Sequence, residues 1–64
     1  MSPADASRAV LRALRGGART PGAIASAAGL GVTQAYQTIE RGIDAGRIEW
    51  AREAPAPSYL REVS

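Results

Sequence analysis

The apolar residues of this chain recur at helical spacing in three segments, and a short alternating segment follows them. The first segment begins at Ser2-Pro3, a cap followed by a proline at the first helical position, and two glycines follow Arg15. It predicts a helix over about residues 3–15. On a helical wheel its core side consists of Ala6, Val10, Ala13 and Leu14, with Leu11 at the margin.

The second segment is short and almost free of large side chains. Thr20 is a capping residue, Pro21 suits the first helical turn, and Gly29 is a natural left-handed stop. These signals predict a helix over about residues 21–28. Leu30 then stands as a single apolar residue in a tight glycine turn.

The third segment predicts a helix over about residues 32–45, closed by Gly46. With Thr33 at 0° and about 100° per residue, one arc from about 180° to 300° is expected to face the core. Its members are Val32, Ala35, Tyr36, Ile39, Gly42 and Ile43. The opposite arc, from about 0° to 100°, is polar and rich in amides. Its members are Thr33, Gln34, Gln37 and Arg41.

The last segment predicts a β-hairpin over about residues 47–63. Ile48 and Trp50 alternate with polar residues, so both are expected on the core side of the first strand. Pro55 and Pro57 cannot donate ladder hydrogen bonds and therefore mark the loop. The chain of 64 residues is thus expected to form one domain, mainly α with a small β-hairpin.

The composition argues against several classes of function. The chain has no histidine, cysteine or lysine, which removes the usual general base, thiolate and Schiff-base residues. We therefore expect no enzyme, no metal and no cofactor. No apolar run approaches the roughly 20 residues that span a bilayer, and the N-terminus does not resemble a signal peptide. The expected location is cytoplasmic, with no membrane partner.

The net charge of +2 is unevenly distributed. Residues 1–19 contain four arginines and one aspartate, a balance of +3. Arg8, Arg12 and Arg15 lie on the side of the first helix opposite its apolar residues. This ridge fits either a solvated charged face or a surface that contacts phosphates, because arginine donates bidentately to phosphate oxygens.

The chain resembles the winged helix-turn-helix family of DNA-binding domains. The residues that carry the resemblance are Ala25, Gly29, Leu30, Ala35, Ile39, Ile43 and Gly46-Arg47-Ile48. The resemblance implies a three-helix winged helix-turn-helix in which the third helix is the recognition helix and the hairpin is the wing. It also implies a short strand at residues 18–20, where the pattern alone predicts a loop.

The leading hypothesis is a small, sequence-specific double-stranded DNA-binding protein that regulates transcription. Glutamine pairs with adenine, arginine with guanine, and threonine with bases or phosphates. The expected base-reading residues are therefore Thr33, Gln34, Gln37 and Arg41. The expected backbone contacts are Arg8, Arg12, Arg19, Thr20 and Arg52. Because one copy buries little surface, we expect a homodimer or a cooperative array on repeated sites.

The alternative hypothesis is a winged-helix module that binds a protein. Glu40 and Asp44 lie on one side of the third helix, and acids near a DNA groove are repelled by phosphates. An acidic or DNA-mimicking partner would then bind the arginines of the first helix. Both hypotheses are open at the level of sequence, because fold does not fix function.

Overall fold

The computed structural model of this protein describes residues 2–51 and 59–63. Helices α1 (Pro3–Arg15), α2 (Pro21–Ala28) and α3 (Val32–Asp44) precede strands β1 (Ile48–Trp50) and β2 (Leu60–Glu62). The two strands form an antiparallel sheet. The predicted fold class is therefore confirmed: the protein is mainly α with a small β-hairpin, in the layout of a winged helix-turn-helix. None of the helices in the described ranges is long and apolar enough to cross a membrane.

Predicted capping residues mark the start of α1 and both ends of α2. The Ser2 hydroxyl accepts a hydrogen bond from the backbone N–H of Asp5 at 3.2 Å, and the Thr20 hydroxyl accepts one from Ala23 at 3.2 Å. Gly29 ends α2 in the left-handed conformation with φ 71°. Helix α3 ends at Asp44, one residue before the predicted end, because Ala45 is its C-terminal cap.

One hydrophobic core joins the three helices and both strands. The predicted core side of α1 is confirmed, since all four of its expected core residues are buried. The buried residues that form the common core are Val10, Ala13, Leu14, Ile24, Ile39, Ile48 and Leu60. Each element contributes at least one of them, so the core fixes the orientation of α3 relative to the rest of the fold.

The chain before α2 lies beside the hairpin. Residues 18–20 form no strand, in agreement with the prediction from pattern alone, yet the Leu60 N–H donates to the Arg19 carbonyl at 2.7 Å. In the hairpin itself Trp50 pairs with Leu60 and Ile48 with Glu62. Residues 52–58, which include the expected backbone contact Arg52, lie outside the described residues.

Three residues predicted to lie in the core are exposed instead. Val32 is 58% exposed, Tyr36 46% and Trp50 41%. In α3 the buried residues are Ala35, Thr38 and Ile39, so the centre of the buried arc is rotated by about 50° from the predicted one. Trp50 lies two residues beyond Ile48 and is exposed, although its cross-strand partner Leu60 is fully buried.

Thr38 is buried on the core side of α3, whereas the apolar residues Val32 and Tyr36 are exposed. Its side chain is 2% exposed, and its hydroxyl donates to the Gln34 carbonyl at 2.8 Å. Burial therefore leaves no unsatisfied hydroxyl. Ser7 and Leu11 of α1 line the same small cavity as Thr38, which identifies this side of α3 as the one that faces α1.

Candidate nucleic-acid interface

The outward side of α3 carries exposed side chains that can form hydrogen bonds. Thr33, Gln37 and Arg41 are all exposed. Within residues 2–51 and 59–63, none of these three side chains forms a hydrogen bond or an ion pair. Their donors and acceptors are thus available to a ligand, and the helix backbone holds them at a fixed spacing.

Gln34 differs from the other expected base-reading residues. It is half-buried, and its backbone carbonyl accepts the Thr38 hydroxyl. Because Thr38 faces α1, Gln34 lies at the margin of the outward side, next to α1. The structure therefore brings Thr33, Gln37 and Arg41 together on the exposed side and leaves Gln34 at its edge.

Val32 and Tyr36 extend the exposed side of α3 in the direction away from Gln34. Relative to Thr33 they lie at about 260° and 300°, and Gln37 lies at about 40°. The first two turns of α3 therefore expose a continuous arc of about 140° with both apolar and polar members. The helical-wheel prediction for α3 missed this surface, because it placed every apolar residue of the helix in the core. The buried Thr38, whose hydroxyl can bond within the helix, was the missed signal.

The second half of α3 is acidic. Glu40 and Asp44 are exposed and lie within about 20° of Thr33 on the wheel, about two and three turns closer to the C-terminus. Their charges oppose the approach of phosphates to that end of the helix. A nucleic acid would therefore approach the N-terminal half of α3 most closely, the half that recognition helices insert into the major groove. Arg41 is the one expected base-reading residue in the second half, and it lies about 60–100° around the helix from the two acids.

Two of the expected backbone contacts lie just before α2. Thr20 is the N-cap of α2, and its hydroxyl is engaged by the Ala23 N–H. The guanidinium of Arg19 donates from Nη1 to the Leu14 carbonyl at 2.6 Å and to the Ala18 carbonyl at 3.3 Å. The positive charge of Arg19 thus lies at the C-terminal end of α1, where the helix dipole favours a cation. The capping role of Thr20 was predicted from the sequence and is confirmed, whereas the hydrogen bonds of Arg19 to the end of α1 were not predicted.

The arginines of α1 lie on another face of the molecule. Arg8 and Arg12 are exposed, about 140–180° from the middle of the buried side of α1. Since α1 and α3 both direct their buried sides into the common core, their outward sides diverge. Arg8 also forms an exposed ion pair with Asp5, with 3.5 Å between Nη1 and Oδ1. The structure therefore does not bring Arg8 and Arg12 onto the exposed side of α3.

Arg15, the third member of the α1 ridge, is paired within the protein. Its Nε and Nη2 donate to the two carboxylate oxygens of Glu62 at 2.9 and 2.8 Å. The hydrogen bond from Arg15 lowers the pKa of the Glu62 carboxyl below its ordinary value. The pair connects α1 to β2 and leaves less of the positive ridge available for phosphates.

No protein-family model matches this chain, and no curated protein or solved structure matches it either. The winged helix-turn-helix layout therefore rests on the arrangement of its own helices and hairpin. Its membership of a DNA-binding family stays a prediction from the residues quoted above.

Proposed function

We propose that this protein is a sequence-specific double-stranded DNA-binding protein that places α3 in the major groove, with the N-terminal half of the helix inserted most deeply. One observation carries the proposal. Thr33, Gln37 and Arg41 are exposed on the outward side of a helix, and they have no hydrogen-bonding partner in the described parts of the chain. A solvated helix surface would more often carry paired charges of both signs.

The chemistry of these side chains suits the edges of bases. The Gln37 amide can donate to and accept from one adenine, and the Arg41 guanidinium can donate twice to one guanine. Thr33, on the first turn, can contact a base or a phosphate. Gln34, at the margin beside α1, would make the weakest contribution of the four expected base-reading residues.

Contacts to phosphates would set the register of the protein on the duplex. Thr20 and Arg19 precede α2, and Arg52 belongs to the predicted wing. Arg8 and Arg12, on their separate face, would reach phosphates only of a bent duplex or of a neighbouring site. This arrangement favours the homodimer or cooperative array over a single bound copy. The proposed role is transcription regulation in the cytoplasm, without catalysis.

A protein-binding module is the second candidate, and the acids of α3 favour it. Glu40 and Asp44 are exposed on the side of α3 that DNA would approach. In this alternative an acidic or DNA-mimicking protein binds Arg8 and Arg12 on α1. The two candidates differ in the surface they use, so variants of α3 and of α1 separate them.

Fluorescence-anisotropy titration with random double-stranded DNA at two salt concentrations tests the proposal. Neutralisation of phosphates releases counterions, so the affinity should fall steeply as salt rises. Circular dichroism on the same sample verifies that the protein is folded. A folded protein that binds no DNA at low salt would overturn the proposal. The acidic-partner alternative predicts that outcome.

A further inference from the structure

Val32 is the most exposed of the large apolar residues in the described parts of the chain. Its side chain is 58% exposed on the first turn of α3. One exposed valine is ordinary for a protein surface and indicates nothing by itself. Its neighbours make this position informative: Tyr36 lies one turn further along the same side, and Thr33 and Gln37 complete the exposed arc.

The major groove presents one apolar group, the C5 methyl of thymine. A side chain that contacts this methyl must be apolar, near the N-terminus of the inserted helix and free of core contacts. Val32 meets all three requirements, and the exposed ring of Tyr36 would help to shield the contact from water. Gln37 lies five residues on, about 7.5 Å along the helix axis, so it would address a different base pair.

We propose that Val32 reads the C5 methyl of a thymine while Gln37 reads an adenine of another base pair. The N-terminal half of α3 therefore selects A·T pairs at two positions of the target. This inference rests on the proposed function, because it requires that α3 enters the major groove. It goes beyond that function by naming the bases and the apolar contact.

The test begins with selection of a target site from random double-stranded DNA by the full chain. Each thymine of the selected site is then replaced singly by deoxyuridine, which removes the C5 methyl and keeps every hydrogen-bonding group. Burial of one methyl group predicts an affinity loss of about fourfold at one thymine. The Val32→Ala variant should bind the thymine and deoxyuridine forms of that position equally.

Val63→Ala is the matched control, since Val63 is also exposed, at 39%, but follows β2. It should keep the methyl dependence of the unchanged protein. Val32→Thr retains one methyl and should lose less affinity for the thymine site than Val32→Ala. Circular dichroism should show both Val32 variants folded, because the replaced side chain makes little contact with the core.

The outcomes separate this inference from the proposed function. If the protein selects a site that contains no thymine, or if no deoxyuridine substitution weakens binding, the inference is wrong and DNA binding stands. A Val32→Ala variant that keeps the full methyl dependence also overturns it. Absence of any DNA binding at low salt would overturn the proposed function, and the inference with it.

Discussion

Gly42 of α3 packs directly against Ile48 of β1. A Cβ atom added to Gly42 would lie 2.5 Å from Ile48 Cδ1 and 2.9 Å from Ile48 Cγ1, closer than real side chains approach. Glycine inside a helix costs roughly 1 kcal/mol relative to alanine. Because Gly42 has no Cβ atom, the side chain of Ile48 can lie directly against the helix, and Ile48 is only 3% exposed.

We therefore expect Gly42→Ala to destabilise the protein although alanine favours helix. Overpacking costs about 1–3 kcal/mol, which exceeds or cancels the gain in helix propensity. Gly22→Ala is the control, because nothing lies within 4 Å of a Cβ at that helical position. The free energy of unfolding, measured in urea, should fall for Gly42→Ala only.

Ile48→Val tests whether the steric conflict is the cause. This change removes the atom that the new Cβ would approach most closely. In the double variant, Gly42→Ala should cost less than it does alone, which a double-mutant cycle measures. Additive effects of the two substitutions would argue against the packing explanation.

The sequence predicted the elements better than it predicted which side of α3 is buried. Ser2, Thr20 and Gly29 carry local backbone signals, and each of the three caps lies where it was expected. Burial of Thr38 and exposure of Val32 depend instead on where α1 and β1 contact α3, which no local pattern specifies. The role of Gly42 was equally hidden, because its reason is a residue in another element.

The same limit applies to the candidate site. The exposure of Thr33, Gln37 and Arg41 could be predicted from their polarity and spacing alone. The pairing of Arg15 with Glu62 could not, since 47 residues separate the two in the chain. Because the positive charge of Arg15 is paired with Glu62, only Arg8 and Arg12 of the three α1 arginines are without an ion pair to β2 in the described part of the chain.

The Arg15–Glu62 pair should make stability depend on pH in the acidic range. The hydrogen bond from Arg15 lowers the pKa of Glu62 in the folded protein, so the pair contributes fully above the ordinary carboxyl pKa of about 4.3. Its contribution should be lost as the pH falls through the lowered pKa of the folded state. Thermal unfolding of Glu62→Gln should show less loss of stability between neutral and acidic pH.

Glu40→Gln serves as the comparison for Glu62→Gln. Glu40 is exposed and forms no ion pair with another residue of 2–51 or 59–63. Its replacement should leave the acid-induced decrease in melting temperature in place. Equal effects of the two substitutions would mean that the pair contributes nothing specific.

Thr20 has a defined structural role in addition to its predicted contact with phosphate. Its hydroxyl caps α2, and loss of such a cap costs about 0.5–2 kcal/mol. Thr20→Ala should therefore lower the free energy of unfolding, whereas Thr20→Ser should keep most of it. If Thr20 also contacts phosphate, Thr20→Ala should weaken DNA binding. The salt dependence of the affinity should hardly change, because an uncharged hydroxyl displaces no counterion.

The two glutamines of α3 should differ in their effect on DNA binding. Gln37 is exposed and free of partners in the described structure, whereas Gln34 is half-buried beside Thr38. A lost contact to a base costs about 1–3 kcal/mol, so Gln37→Ala should weaken binding to a selected site by about fivefold or more. Gln34→Ala should have a smaller effect, and both variants should keep the affinity for random DNA.

The comparison of the two variants decides how α3 meets the duplex. Both replace the same side chain on the same helix, so their helix propensity and charge are matched. A larger effect of Gln34→Ala would mean that DNA approaches α3 from the side of α1. A larger effect of Gln37→Ala places the groove over Val32 and Thr33, which is the orientation that reading of a thymine methyl requires.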